Sequence, residues 1–238
     1  MPDIKAILFD KDGTLFDYHK TWANWSRDFL LDLAAGNLQL ARQLSASVGF
    51  DIDFTAFRTD SLLVSHTPAD IAEALLPYLP GASRVGIVTR MSALSASVKQ
   101  AEATPLGPLM QELAARNLIL GVVTNDLEKP ARAHLREAGI EDAFAQIIAC
   151  DSGFSPKPAP DMLEAFCEMT GVEPAQVLMV GDSLHDMVAG RAAGMRNIAV
   201  LTGVATRPQL DPFAYSVIPS IAALPKLLSD MAVEQAAA

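Results

Sequence analysis

Short apolar runs alternate with amphipathic stretches along much of this chain. The apolar runs predict five strands and a short sixth, at residues 4–9, 118–124, 146–150, 177–180, 197–202 and 215–218. Helical periodicity is found between them, at residues 106–116, 127–138, 160–170 and 186–193. Strands that alternate with helices of this length imply crossover connections. The pattern therefore predicts an α/β fold with a doubly wound parallel sheet, covered by helices on both faces.

A different pattern separates the first predicted strand from the rest of this alternation. The predicted helices of that segment cover residues 21–35, 38–48 and 68–78, and a short strand-like run covers 85–89. Thr67 followed by Pro68 is a typical helix start. So long a stretch is no ordinary connection. We therefore expect residues 17–103 to form an inserted α-helical domain, with 1–16 and 104–238 forming the α/β core.

Composition and charge exclude several classes of protein. The 238 residues are 50% apolar, with a formal net charge of −10 and a pI near 4.8. An acidic chain disfavours nucleic acid and anionic membranes as partners. No apolar run approaches the roughly 18 residues of a membrane span, and the first residues lack the pattern of a signal peptide. We expect a cytoplasmic monomer or homodimer in which Cys150 and Cys167, at no metal-binding spacing, are buried thiols.

Distinctive polar groups follow each of the first four strands of the predicted sheet. They are Asp10-Lys11-Asp12-Gly13-Thr14, then Thr124-Asn125-Asp126, then Ser155-Pro156-Lys157-Pro158, and finally Gly181-Asp182-Ser183-Leu184-His185-Asp186. The carboxyl ends of parallel strands share one edge of a sheet, where ligands bind. We therefore expect the four segments to meet at a single site.

The first of these segments predicts covalent chemistry at phosphorus. An ionised carboxylate is a competent nucleophile at neutral pH and can form an aspartyl-phosphate. Side chains alternate along an extended chain, so Asp10 and Asp12 should point the same way and Lys11 the other way. We assign Asp10 as the nucleophile and Asp12 as the acid and base. Lys11 is expected to face away from the chemistry.

The remaining polar groups can hold a metal ion and a phosphoryl group. Asp10, the backbone carbonyl of Asp12 and Asp182 supply the hard oxygen ligands that Mg²⁺ prefers. Asp186 could ligate the ion directly or through water, and we favour a place beside the direct ligands. Lys157 can bridge the nucleophile and the phosphoryl group as a catalytic point charge. The residues expected to contact phosphoryl oxygens are Gly13, Thr124, Asn125 and Lys157.

These four segments resemble the motifs of the haloacid dehalogenase superfamily of aspartate-nucleophile phosphotransferases. They stand as DKDGT at 10–14, VVTN at 122–125, SPKP at 155–158 and GDSLHD at 181–186. The predicted insert at residues 17–103 resembles the mobile cap of the phosphoglycolate phosphatase-like subgroup. The resemblance implies a Rossmann-like sheet of order 5-4-1-2-3, Mg²⁺ and hydrolysis of a small phosphomonoester, 2-phosphoglycolate or a sugar phosphate, through an aspartyl-phosphate. Dehalogenases themselves lack the second carboxylate, which is present here as Asp12.

Two alternatives to a phosphatase stay open at the level of sequence. A phosphomutase would use the same nucleophile and return the phosphoryl group to a sugar. A non-catalytic binding protein could share the fold.

Residues elsewhere give weaker signals. An anionic substrate could contact one of several basic residues, although each is more often a surface charge: His19, Lys20, Arg27, Arg58, His66, Arg84 and Arg90. Trp22 and Trp25 are expected to pack in a core. His134 is expected on the solvent face of its helix, and His185 beside the metal-binding residues.

Overall fold

The computed structural model describes residues 3–236. Its eight strands are β1 (Ala6–Phe9), β2 (Phe50–Asp51), β3 (Ala56–Phe57), β4 (Ile119–Thr124), β5 (Gln146–Ala149), β6 (Val177–Gly181), β7 (Arg196–Val200) and β8 (Ser216–Ile218). Its eleven α-helices are α1 (Tyr18–Leu33), α2 (Leu38–Ser47), α3 (Leu62–Ser65), α4 (Pro68–Leu75), α5 (Arg84–Ser95), α6 (Leu106–Ala114), α7 (Glu128–Glu137), α8 (Asp161–Thr170), α9 (Leu184–Ala192), α10 (Arg207–Leu210) and α11 (Leu224–Ala236).

Six strands form one parallel sheet in the order β5-β4-β1-β6-β7-β8. Numbered among themselves, the first five have the order 5-4-1-2-3 read from one edge, and the short sixth strand lies outside the fifth. The predicted fold class is therefore confirmed. The order reverses on either side of β1, so the carboxyl end of this central strand lies at the switch point where ligands bind in such sheets.

The two faces of the sheet bury alternate residues of each strand. Along β1, Ile7 and Phe9 pack with α6, α7 and α11 in one apolar cluster, whereas Ala6 and Leu8 pack with α8 and α9 in another. All four side chains are fully buried. A strand covered on both faces is apolar throughout, which is why the run at 4–9 could be recognised.

Residues 17–103, here called the inserted segment, pack around an apolar cluster of their own. Tyr18, Phe29, Leu44, Ile71 and Ile87 belong to it, from helices α1, α2, α4 and α5. A two-stranded antiparallel hairpin, β2 and β3, completes the segment. The division of the chain into two domains stays a prediction.

The two connections by which the chain enters and leaves the inserted segment run side by side. Asp17 N donates to the carbonyl of Ala101 at 2.7 Å, and Ala103 N donates to the carbonyl of Leu15 at 3.0 Å. Both connections therefore lie at one point beside the carboxyl end of β1.

Several features of the fold differ from the predicted elements, among them one strand-like run and one long helix. The run at 85–89 is part of helix α5, in which Ile87 and Met91 are buried one turn apart while Val85 is exposed. The strand-like interpretation of that run was wrong because its apolar residues follow a helical period. Helix α11 was not predicted; its Leu224, Leu228 and Met231 cover the sheet.

Among the described residues, no helix is both long and apolar enough to cross a membrane.

Candidate active site

The side chain of Lys157 joins two carboxylates at the carboxyl end of β1. Its ammonium group donates to Asp10 Oδ1 at 2.7 Å, Asp186 Oδ1 at 2.6 Å and the carbonyl of Val123 at 3.0 Å. All three ammonium hydrogens are therefore used. The side chain is almost completely buried, and the two carboxylates raise the pKa of Lys157 despite that burial. The lysine is consequently charged and held in one position.

Asp186 also belongs to the start of helix α9. Its Oδ2 accepts hydrogen bonds from the backbone N–H of Ser183 at 3.0 Å and from the Ser183 hydroxyl at 2.7 Å, as in a capping box. Both carboxylate oxygens of Asp186 therefore have partners. The expected place of Asp186 beside the direct metal ligands stays a prediction.

Asp182 has a buried carboxylate with almost no partners. Its Oδ2 makes no hydrogen bond to any described residue, and its Oδ1 accepts only a long bond of 3.5 Å from the Thr14 hydroxyl. A Cβ added at Gly13 or at Gly203 would collide with this carboxylate. Gly13 also has a φ of +86°, which only glycine adopts readily. The backbone therefore closes around Asp182 from two loops, and the role of Gly203 was not anticipated from sequence.

Three carboxylates lie around one lysine here, so negative charge exceeds positive charge at the site. Asp10, Asp182 and Asp186 each place an oxygen within 4.8 Å of the others. Burial raises the pKa of Asp10 to about 7 even beside Lys157, and burial together with the other two carboxylates raises the pKa of Asp182 well above its usual value. A hard divalent cation would relieve this repulsion and bind the oxygen of Asp182 that has no partner. The residues present therefore fit the predicted Mg²⁺.

Asp12 lines the same cavity as Asp10. Both carboxylate oxygens of Asp12 have partners. Oδ1 accepts from the indole N–H of Trp22 at 2.7 Å, and Oδ2 lies 2.5 Å from the ammonium group of Lys11. The prediction that Lys11 faces away was wrong. Strand β1 ends at Phe9, so the alternation assumed for residues 10–12 does not extend into the turn that follows.

Lys11 occupies a fully buried position between the sheet and the inserted segment. Besides Asp12, its ammonium group contacts Asp126 Oδ2 at 3.3 Å and donates to His134 Nδ1 at 3.2 Å. His134 in turn donates from Nε2 to the carbonyl of Ser95 at 2.8 Å, and burial lowers its pKa to about 4. The expected solvent position of His134 was wrong because helix α5 packs over this part of α7.

The residues expected to contact phosphate line the cavity or adjoin it. Some of their hydrogen-bonding groups already have partners within the protein. The Thr124 hydroxyl accepts from Asp126 N at 3.1 Å and keeps its own hydrogen to donate. Asn125 Nδ2 donates both hydrogens, to the carbonyl of Ser65 at 2.7 Å and to that of Lys157 at 2.8 Å. The N–H of Gly13 donates to another carbonyl of its own loop. The Asn125 side chain therefore positions neighbouring loops, and its phosphate contact stays a prediction for the backbone.

The inserted segment closes the cavity from above. The carbonyl of Ser65 accepts from Asn125 and also from His185 Nδ1 at 2.9 Å, and the His185 ring packs edge-on against His66. Further residues of the inserted segment on the cavity wall include Trp22, Trp25, Ser26, Ile71, Met91 and Ser92. The two tryptophans therefore pack in the cluster of the inserted segment, as expected, and also face the cavity.

Most of the basic residues considered as anion contacts lie on the outer surface. Five of them pair with a neighbouring acid: Lys20 with Asp17, Arg27 with Asp28, Arg58 with Asp60, Arg84 with Glu73, and Arg90 with Asp32. Among the seven candidates, His66 alone lines the cavity. The other six lie on the outer surface, which agrees with the interpretation of each as a surface charge.

Sequence comparison places this chain among hydrolases. The family described as haloacid dehalogenase-like hydrolase matches residues 4–194. A phosphoglycolate phosphatase of Rhodospirillum rubrum is 33% identical over 235 residues, covering 92% of this chain and 89% of the relative. An N-acetylmuramic acid 6-phosphate phosphatase of Pseudomonas putida is 30% identical over 203 residues, covering 84% of each chain.

Structural comparison shows the same fold in a protein solved with phosphate and in a dehalogenase. CbbY from Rhodobacter sphaeroides, solved in complex with phosphate, is similar with a TM-score of 0.70 and 24% identity, covering 93% of this chain and 96% of that one. The L-2-haloacid dehalogenase from Xanthobacter autotrophicus has a TM-score of 0.64 and 21% identity, with coverage of 96% and 99%. At such identities the likeness concerns the fold, and the reaction has to be argued from the site.

Proposed function

The chain belongs to the haloacid dehalogenase-like hydrolases, and from this premise we propose that it is a Mg²⁺-dependent phosphatase that hydrolyses small phosphomonoesters through an aspartyl-phosphate. Three relatives of at least 30% identity over most of the chain are named as phosphatases. The observation that carries the proposal is the contact of one buried lysine with Asp10, beside a second carboxylate, Asp12, on the same cavity.

Asp10 is the proposed nucleophile. Its Oδ1 is held by Lys157, which leaves Oδ2 without a hydrogen bond to any described residue. Attack of this oxygen on phosphorus forms the acyl phosphate as the bond from phosphorus to the leaving alcohol breaks. The ammonium group of Lys157 lies beside Asp10, where an anionic ester must approach a carboxylate. Its positive charge favours that approach.

Asp12 is the proposed acid and base. In the first step its carboxyl group gives a proton to the departing alkoxide, and in the second it takes a proton from the water that attacks the acyl phosphate. Trp22 and Lys11 hold its two oxygens, so the group keeps one orientation through both steps.

Asp10, Asp182 and the backbone carbonyl of Asp12 would hold the metal ion, with Asp186 next to it. When bound, Mg²⁺ supplies positive charge against the phosphate and the carboxylates. Lys157 alone cannot supply that charge, since two carboxylates already share it.

We further propose that residues 17–103 act as a cap domain on the core formed by 1–16 and 104–238. The cavity lies between the two, and the cap contributes its upper wall. The names of the relatives make 2-phosphoglycolate and sugar phosphates the first substrates to test.

The test is phosphate release from p-nitrophenyl phosphate and a panel of phosphorylated metabolites. Wild-type protein with Mg²⁺ should release inorganic phosphate, and a chelator should abolish the release. Asp10→Asn should lose activity by at least about a thousand-fold, while Asp142→Asn, a surface change of the same chemistry, should not. Turnover that resists chelator would contradict the metal proposal. An isomerised sugar phosphate without released phosphate would favour the phosphomutase.

A further inference from the structure

We propose that the alcohol released from the substrate is uncharged where it enters the cavity, and that it has an apolar face that packs against Trp22 and Trp25. This inference rests on the phosphatase function proposed above and specifies its substrate class. It disfavours esters with a carboxylate close to the phosphate, of which 2-phosphoglycolate is one.

The position of Trp22 shows where the leaving alcohol must lie. Asp12 is the group proposed to protonate the leaving oxygen, and the indole N–H of Trp22 donates to Asp12 at 2.7 Å. The first carbon atoms of the alcohol therefore lie beside the Trp22 ring. Trp25 packs edge-on against Trp22, with 5.2 Å between ring centroids, and stacks on Phe29 behind it. The two indoles form a fixed apolar wall.

Other cavity residues from the inserted segment are neutral as well. Ile71 and Met91 add apolar surface, and Ser26 and Ser92 add hydroxyl groups. His66 Nδ1 is buried without a hydrogen-bond partner among the described residues, and burial together with His185 lowers the pKa of His66. A neutral imidazole and two hydroxyls suit the hydroxyl or carbonyl groups of an uncharged ligand.

The described part of the inserted segment places no lysine or arginine on this end of the cavity. Among the described residues, Lys157 is the one lysine or arginine on the cavity wall, and it is shared between Asp10 and Asp186. The arginines of the inserted segment that were considered as anion contacts pair with acids on the outer surface.

Two carboxyl groups are present there instead. Asp12 and Asp126 both line the cavity, and the buried Lys11 behind them is divided between the two. A carboxylate on the leaving alcohol would lose water and gain no cationic partner, because Lys11 is already paired with Asp12 and Asp126. The cavity therefore selects against that charge.

Matched substrate pairs test the inference on the wild-type protein. Each pair exchanges an uncharged group for a carboxylate: 2-hydroxyethyl phosphate with 2-phosphoglycolate, glycerol 3-phosphate with 3-phosphoglycerate, and phenyl phosphate with 4-carboxyphenyl phosphate. We expect kcat/KM to be at least about ten-fold higher for the uncharged member of each pair that is hydrolysed. p-Nitrophenyl phosphate serves as the reference for phosphatase activity in general.

A charge placed in the cavity should reverse the preference. Ser92 faces the cavity from helix α5, whereas Thr89 on the same helix is exposed to solvent. Ser92→Arg should raise kcat/KM for the carboxylate members relative to the uncharged ones by about ten-fold or more. Thr89→Arg adds the same charge to the same helix outside the cavity and should leave the ratio unchanged.

The outcomes separate this inference from the function on which it rests. If no ester is hydrolysed, p-nitrophenyl phosphate included, the phosphatase proposal fails. If p-nitrophenyl phosphate is hydrolysed but the carboxylate members are equal or better substrates, or no uncharged member is hydrolysed, the substrate class is refuted while the phosphatase stands. The substrate class is likewise refuted if Ser92→Arg and Thr89→Arg have equal effects on the ratio.

Discussion

Lys11 has more contacts with charged groups than its place between two aspartates suggests. It is fully buried and touches Asp12, Asp126 and His134. Two carboxylates outweigh the effect of burial and raise the pKa of Lys11, so the charge is retained inside the protein. Loss of that charge would leave two partly buried carboxylates without a cation, and removal of one partner of such an ion pair is strongly destabilising.

Replacement of Lys11 should therefore lower stability strongly. Lys11→Met keeps the length of the side chain and removes the charge, and we expect the free energy of unfolding to fall by about 3 kcal/mol. Lys5→Met makes the same exchange at an exposed position, and we expect a change within about 0.5 kcal/mol. Urea unfolding of the two variants measures the difference. Equal stability would show that the buried cluster contributes nothing.

At the level of single residues, the sequence predicted those whose roles follow from strand ends. Asp10, Lys157, Asp182 and Asp186 were expected at one edge of the sheet, and they meet there. Lys11 was misplaced because strand β1 and its alternation end at Phe9, and His134 was misplaced because α5 packs over α7, which no local pattern encodes.

Among the elements, helix α9 links local folding to the site. Its capping box joins Ser183 to Asp186, and Asp186 in turn accepts from Lys157. Ser83 caps helix α5 by accepting from Gly86 N at 3.1 Å, on the exposed surface. The two caps have similar local chemistry, but Ser183 alone of the two is connected to Lys157.

Removal of the two caps should therefore separate stability from activity. Ser183→Ala and Ser83→Ala should each lower the free energy of unfolding by about 1 kcal/mol. Ser183→Ala should also lower kcat, by about ten-fold, because the loss of the Ser183 hydroxyl loosens the capping box that holds Asp186 beside Lys157. Steady-state kinetics and urea unfolding on both variants measure the two effects. A Ser183→Ala enzyme with unchanged kcat would show that the orientation of Asp186 is set elsewhere.

The core elements were predictable because each buried strand is a continuous apolar run, and the bounds of β4 and β5 differ from prediction by one residue. The inserted segment was harder. Its hairpin has strands of two residues each, Phe50–Asp51 and Ala56–Phe57, too short for any period to show. Helix α11 was missed although its buried Leu224, Leu228 and Met231 follow a helical period that the sequence shows.

For the whole molecule, the raised pKa values imply a link between pH, metal and stability. Without metal, Asp10, Asp126 and Asp182 all have pKa values above those of unfolded chains, mainly because of burial, with Asp10 at about 7. Between the ordinary aspartate value and about pH 7, the folded state binds more protons than the unfolded one. The contribution of these groups to stability therefore falls as pH rises through that range.

Magnesium should reverse that loss. Because Mg²⁺ takes the place of protons on these carboxylates, it should raise Tm more at about pH 7.5 than at about pH 5. Asp182→Asn should remove most of the increase at about pH 7.5. Thermal unfolding with Mg²⁺ and with chelator provides the measurement. An equal Mg²⁺ effect at both pH values, or an undiminished effect in Asp182→Asn, would contradict a metal site at these carboxylates.

The proposal that Asp10 carries the phosphoryl group is tested most directly in Asp12→Asn with p-nitrophenyl phosphate. Nitrophenolate leaves without an acid, whereas hydrolysis of the acyl phosphate needs the base. We predict a burst of nitrophenolate that is stoichiometric with enzyme, and borohydride reduction followed by peptide mass spectrometry should show Asp10 converted to homoserine. Steady turnover without a burst, or a phosphoryl group on any other residue, would contradict the proposal.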